Sequence, residues 1–152
     1  NFSGGLGPKL KEGDKQSPEG FYEVRPTSLN PNSAYHLSFN LGFPNKLERS
    51  LGRTGSYLMV HGNCLSVGCY AMTDARIEQI YTLVYEAFGQ GQRQVQVHAF
   101  PFHLTDENLQ KFTDSIWYSF WKNMQKGYQI FEDTKVPPII SVAGKDYIIT
   151  QG

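Results

Sequence analysis

A chain of 152 residues with zero net charge and no Lys/Arg cluster fits one domain with its own core. It excludes a nucleic-acid reader, whose affinity rests largely on neutralising phosphates. No apolar run approaches the roughly 18 residues a membrane span needs, and two cysteines are too few for a disulfide scaffold.

The elements follow in order. The opening NFSGGLGPKLKEGDKQSPEG, rich in Gly, Pro and alternating charge, reads as loop. Residues 20–25, GFYEVR, read as a short strand carrying Phe21 and Val24. After the turn-forming PTSLNPNS, residues 35–43 alternate Leu37, Phe39 and Leu41 with polar neighbours and predict a second strand. A polar loop through Arg49, Gly52, Arg53 and Gly55 leads to SYLMVH, a buried strand ending at His61. In TDARIEQIYTLVYEAFG, Ile77, Ile80, Leu83 or Val84, Ala87 and Phe88 recur at helical spacing, with Thr73 or Asp74 as cap and Gly89 as end. RQVQVHAF, residues 93–100, predicts a strand closed by Pro101. One long helix is expected from Thr105 to Gly127, its stripe formed by Leu109, Phe112, Ile116, Phe120 and Met124. IISVAGKDYIIT predicts a hairpin turning at Gly144. Mixed helices and strands make the class α+β.

Both cysteines fall in HGNCLSVGCYAMTD, residues 61–74. A Cys64–Cys69 disulfide closes so short a loop that it removes little chain entropy, which leaves a regulatory bridge more credible than a structural one. Zinc needs four ligands, and His36, His98 and His103 show no ligand spacing. A nucleophile fits the local chemistry. Cys69 precedes a capped helix, Gly68 permits close backbone approach, and the amides around Gly68 and Cys69 are natural oxyanion donors. His61, at the end of a buried strand, is placed to aim an imidazole at the thiol. On these residues alone the choice between catalysis and a structural role stays open.

The order His61-Gly62, then Ser66-Val67-Gly68-Cys69, resembles the signature of the L,D-transpeptidase catalytic (YkuD-like) domain, a family of bacterial cell-wall cysteine enzymes. Its usual pattern is His-Gly, a spacer, Ser/Thr-His-Gly-Cys, an apolar residue and Arg or Asn. LGPKLKEGD, PEGFY, YHLSFNLGFPN, GRTGSYLMVHGNC, SVGCYAMTD and FPF are similar, in this order, to the YafK-like branch. Val67 stands where the family has His, Ala71 where it has Arg or Asn, and the spacer is short.

The resemblance implies an α+β fold, a β-sandwich or mixed sheet with helices packed against it. It implies a single catalytic domain over residues 1–152, with further strands expected before Asn1. Cys69 would be the nucleophile, His61 the base, and Gly68 with Cys69 the oxyanion hole. A backbone carbonyl is expected to orient the His61 ring, and Asp74 to serve the helix start. Arg53, Ser66, His36 and Asn40 are candidate substrate-binding residues, each with a structural role as the alternative. No cofactor or metal is implied.

The expected substrate is the diaminopimelate-containing stem peptide of peptidoglycan, through a thioester. Resolution by water gives an amidase that frees a lysine-linked outer-membrane lipoprotein, the outcome the branch favours. Resolution by an amine gives a transpeptidase that cross-links stems or attaches lipoprotein. A wall-binding module with an unreactive Cys69 is the alternative from another class. Such a substrate implies the periplasm, reached by an export signal this sequence does not contain.

Overall fold

The computed structural model describes residues 5–64 and 66–152. The first four residues of the predicted opening loop, and Leu65 within the cysteine cluster, lie outside them.

The fold is α+β, with three sheets among the described residues. Strand β1 (Gly20–Val24) will pair with a later strand. Strands β2 (Leu29–Asn30), β3 (Ser38–Asn40), β4 (Met59–His61) and β5 (Tyr70–Ala71) form a four-stranded sheet in that order, with α1 (Lys46–Ser50) between β3 and β4 in sequence. β2, β3 and β4 run antiparallel, whereas β4 and β5 are parallel. Helix α2 (Asp74–Gly89) leads to β6 (Val95–Ala99), the antiparallel partner of β1. Helices α3 (Asp106–Gln110) and α4 (Tyr118–Thr134) precede the antiparallel hairpin of β7 (Ile139–Ala143) and β8 (Asp146–Thr150).

Two apolar cores meet at β1. Successive strand residues point to opposite faces. Tyr22 and Val24 therefore enter a core with Phe39, Leu41, Val60 and Ile77, while Phe21 enters a second core with Leu104, Trp121, Met124 and Ile149. Phe21 and Val24, three apart, do not share a face. On α2 the buried residues are Ile77, Tyr81 and Val84, and Leu83 of the predicted stripe is 72% exposed.

The sequence reading missed α1, although its signal is present. Asn45 accepts the Glu48 N–H at 3.0 Å, and Glu48 accepts the Asn45 N–H at 2.7 Å, a reciprocal capping box. The expected single helix from Thr105 to Gly127 is two. Ser115 turns the chain locally, its Oγ accepting the Trp117 N–H at 3.2 Å, and Ile116 is left 87% exposed. α4 then runs through Gly127 instead of stopping there, and the glycine serves space rather than termination: an added Cβ would sit 2.5 Å from Phe21 Cζ. The strand expected over 35–43 narrows to Ser38–Asn40, since His36 takes a left-handed φ of 70°.

Candidate active site

β4 and β5 position the two candidate catalytic residues, His61 as the last residue of β4 and Cys69 immediately before the parallel β5. His61 lies beside Ala71 in the parallel register and Val60 beside Tyr70. One step back, Met59 donates its N–H to Cys69 Sγ at 3.4 Å. His61 is therefore two residues along β4 from the residue that touches the thiol. The ladder continues past the strands, with the Met72 N–H donating to His61 O at 2.9 Å and the Cys64 N–H to Met72 O at 3.1 Å.

His61 is 4% exposed, its ring tilted against Tyr35 at 4.8 Å between centroids. Nδ1 sits 2.6 Å from the carbonyl oxygen of Gly62. A carbonyl can only accept, so Nδ1 carries the proton and, in the neutral ring, Nε2 keeps its lone pair. The ring is oriented by backbone, as the sequence reading expects. Asp74 is engaged elsewhere: its Oδ1 accepts the Asn63 N–H at 2.8 Å, while Thr73 caps α2 by accepting the Arg76 N–H at 3.3 Å.

Gly68 has φ of 96°, a conformation L side chains avoid, and a Cβ there would lie 3.0 Å from Gln16 O. The opening segment thus closes over the residue before Cys69. Cys69 Sγ donates to the carbonyl of Tyr57 at 3.5 Å. Among the described residues its hydrogen-bond partners are therefore backbone groups of Tyr57 and Met59, not the His61 ring. Ser66 Oγ donates to the Cys69 carbonyl at 2.7 Å and pins the turn. Tyr70 anchors the other side, its hydroxyl donating to the Pro18 carbonyl. Burial pushes that hydroxyl well above the ordinary phenol range, so it stays protonated.

Cys64, Ser66, Gly68 and Cys69 line one cleft of about 180 Å³, with Lys15 and Ser17 from the opening segment. Both cysteines are free thiols, Cys64 exposed and Cys69 half-buried. Backbone strain collects here. Among the described residues six non-glycines have positive φ, and five of them, Lys15, His36, Tyr57, Asn63 and Cys64, surround the cleft and the His61–Gly62 corner. Each costs about 1 kcal/mol or more, a cost that fixed surroundings commonly sustain at functional sites.

The other predicted binding residues are not gathered here. Arg53 is buried in the second core region, with Nη1 3.7 Å from Glu48 Oε1 and the guanidinium 5.2 Å over the Phe120 ring. Glu48 itself accepts from the Tyr22 hydroxyl at 2.6 Å, and burial raises its carboxyl against the lowering pull of Tyr22, Asn45 and Arg53. Arg53 is thus a partner for buried acid, outside the Cys69 cleft. Asn40 accepts the Gly42 N–H at 2.9 Å in a local turn. His36 pairs with Glu78 at 2.7 Å on the surface, and its Cβ lies close beside Gly62. The sequence reading did not single out Tyr57, Tyr35 or Lys15. The first acts through its carbonyl and the third through loop placement, and neither leaves a mark in residue type.

Residues 2–97 match the family model of the L,D-transpeptidase catalytic domain, YkuD. The chain belongs to that family. Within it, the chain is 45% identical over 150 residues to the Escherichia coli K12 protein described as "Putative L,D-transpeptidase YafK", and equally to the protein so described in Escherichia coli O157:H7. The match spans 99% of this chain but 61% of those relatives. A solved structure, the helical cell shape determining protein Pgp2 from Campylobacter jejuni, aligns with a TM-score of 0.48 at 21% identity, over 93% of this chain and 61% of that one. The YkuD family match runs from ahead of β1 into β6, ending at Val97 with the cysteine cluster included, before α3, α4 and the C-terminal hairpin.

Proposed function

We propose that this YkuD domain is a cysteine amidase of peptidoglycan, acting in the periplasm on diaminopimelate-containing stem peptides and releasing a lysine-linked outer-membrane lipoprotein. The observation that carries the reading is the His61 tautomer: a buried ring, fixed at Nδ1 by the Gly62 carbonyl, with a basic Nε2, one strand from a half-buried thiol.

In this mechanism His61 Nε2 takes the proton from Cys69 Sγ, and the thiolate attacks the diaminopimelate carbonyl carbon. The oxyanion that forms is met by the amides at Gly68 and Cys69. Its collapse breaks the C–N bond, and the departing lysine amine takes the proton from His61. The thioester is then attacked by water, which loses a proton to His61; the C–S bond breaks, and the proton returns to Sγ. For the first transfer Sγ must leave the Tyr57 carbonyl, a tightening of the kind apo sites undergo when substrate arrives. An amine in place of water makes the same thioester a transpeptidation intermediate. The replacement of the family His and Arg/Asn by Val67 and Ala71 supports the hydrolytic choice, whereas the description of the YafK relatives names the transpeptidase outcome.

Mass spectrometry of lipoprotein-bearing peptidoglycan, incubated with the protein and with its Cys69→Ala variant, tests the reading. Lipoprotein ending in free lysine, with intact stems and neither product from the variant, is the expected result. New diaminopimelate cross-links would make the domain a transpeptidase instead. Identical digests from both proteins would point to a wall-binding module.

A further inference from the structure

A second and larger cavity, of about 440 Å³, opens between β1, α1 and the β7–β8 hairpin and shares no lining residue with the Cys69 cleft. Its volume lies in the range that small ligands and short peptides occupy. Part of its wall comes from the hairpin, which lies beyond residues 2–97 matched by the family model.

The chemistry of the lining is asymmetric. Phe21, Ile140 and Val142 give it an apolar floor, and Arg25, Lys46 and Arg49 surround it with positive charge. Its one carboxylate, Glu23, is already engaged: it pairs with Arg25 at 3.2 Å and accepts from Gln94 at 3.1 Å. Among the described residues neither Lys46 nor Arg49 forms a salt bridge, although the Arg49 charge acts on the buried Glu48 carboxyl beside it. Arg49 is held in place by donating to the Pro44 carbonyl.

The walls are fixed in advance. Tyr147 accepts from Asn45 Nδ2 at 2.7 Å, joining β8 to the start of α1. Asn123 on α4 clamps both main-chain groups of Tyr147 at 3.0 Å, and Gln96 Nε2 donates to Pro138 O at 3.0 Å, tying the hairpin to β6. Main-chain groups also face this side. Phe21 directs its main-chain groups away from β6, where they are already taken, the N–H by the Tyr147 hydroxyl at 3.5 Å and the carbonyl by Asn45 at 3.0 Å; Glu23, two residues on, repeats that direction. An apolar floor, the outward main-chain groups of Glu23 and an excess of cations over carboxylates, three against one, suit an extended peptide with carboxylates.

We propose that this cavity binds a carboxylate-bearing peptide in extended conformation, at a site separate from the Cys69 cleft. The proposal does not rest on the reaction assigned to Cys69. It is tested by titrating the ¹⁵N-labelled protein with acetyl-Glu-Val-Glu-amide and with its neutral isostere acetyl-Gln-Val-Gln-amide. The acidic peptide is expected to give saturable shifts at the amides of Gly42 and Ser141 and none at Gly68 or Cys69. Binding should weaken about tenfold or more for the neutral peptide, and likewise for the surface variants Lys46→Gln and Arg49→Gln. Thiol labelling of Cys69 should be the same with and without peptide. Equal binding of the two peptides, shifts centred on the Cys69 cleft, displacement by equimolar inorganic phosphate, or no saturable shift would each overturn the proposal.

Discussion

The carbonyl of Gly62 lies 2.6 Å from Nδ1 of His61, and the N–H of the same glycine is shared between the carbonyls of Tyr35 and Leu37 at 3.1 and 3.2 Å. One residue thus ties the catalytic candidate to the segment entering β3. Glycine is needed because space is absent: a Cβ would sit 2.6 Å from Asp74 Oδ1 and 2.9 Å from Tyr35 O. The expected result of Gly62→Ala is a displaced carbonyl and a loosened ring. Given the sensitivity of reacting geometry to shifts of about 1 Å, kcat on a stem-peptide substrate should fall about 10²-fold. Unfolding in urea should show a loss of about 1–3 kcal/mol from overpacking. A variant with full kcat would show that the Gly62 carbonyl does not position the base.

The two thiols provide an internal comparison. Cys64 is exposed and Cys69 half-buried, so accessibility alone would make Cys64 the faster to alkylate. If His61 Nε2 draws the proton from Cys69, the order reverses near neutral pH, because the thiolate is the reacting species. His61→Ala should slow Cys69 labelling by about tenfold and leave Cys64 unchanged. Site-resolved mass spectrometry with iodoacetamide reads both rates in one sample. Equal labelling of Cys69 in the two proteins would remove His61 from the role of base and favour the unreactive wall-binding module.

Much of this arrangement is legible in residue order, for local reasons. Thr73 as cap, the run ending at His61 and the turn at Gly144 each follow from short-range chemistry, and each stands where expected. His61-Gly62 and Gly68-Cys69 mark the site because glycine is demanded by space at one and by φ at the other. What residue type does not carry is the tertiary context. Gly127 reads as a helix stop, yet it is a contact point for Phe21 inside α4. Arg53 reads as a loop cation facing ligand, yet it is buried between Glu48 and Phe120. The partners of Sγ are main-chain groups whose direction depends on φ at Tyr57, a quantity invisible in the identity of a tyrosine.

Gly127 gives a prediction of opposite sign to helix propensity. In an open helix Gly→Ala stabilises by about 1 kcal/mol. Here the new methyl would press into a ring that cannot retreat, since Phe21 is packed edge-to-face against His98, Phe100 and Tyr147. Gly127→Ala should therefore destabilise by about 1 kcal/mol or more once overpacking is set against propensity. Because Phe21 belongs to the second core, the thiol reactivity of Cys69 should be unaffected. A rise in the urea midpoint would mean that the ring yields and that the two cores are less tightly joined at β1 than the packing indicates.

The opening segment reaches the cleft through a turn organised by Asp14. Burial pushes its carboxyl up, but the Lys11 N–H, the Lys9 ammonium and the N–H groups of Leu10 and Gln16 together outweigh this and hold the pKa at about 2, below the ordinary 3.8. The Lys9 ammonium is 2.7 Å away, and both side chains are largely shielded from solvent. A carboxyl with a depressed folded pKa binds fewer protons in the native state. Its stabilisation is therefore complete above the unfolded pKa of 3.8 and is lost as pH falls from about 4 toward about 2. The contribution at pH 7 is about 2 kcal/mol. Asp14→Asn should lower stability by about that amount at neutral pH, with the gap to the parent protein closing as pH falls through that window. Denaturant melts of both proteins at several pH values measure the gap directly. The same variant should release Gln16, whose N–H Asp14 holds at 3.1 Å and whose carbonyl abuts Gly68, so Cys69 reactivity should change with it. A gap that stays constant from neutral pH to below 2 would mean that the Asp14 charge does not stabilise the turn.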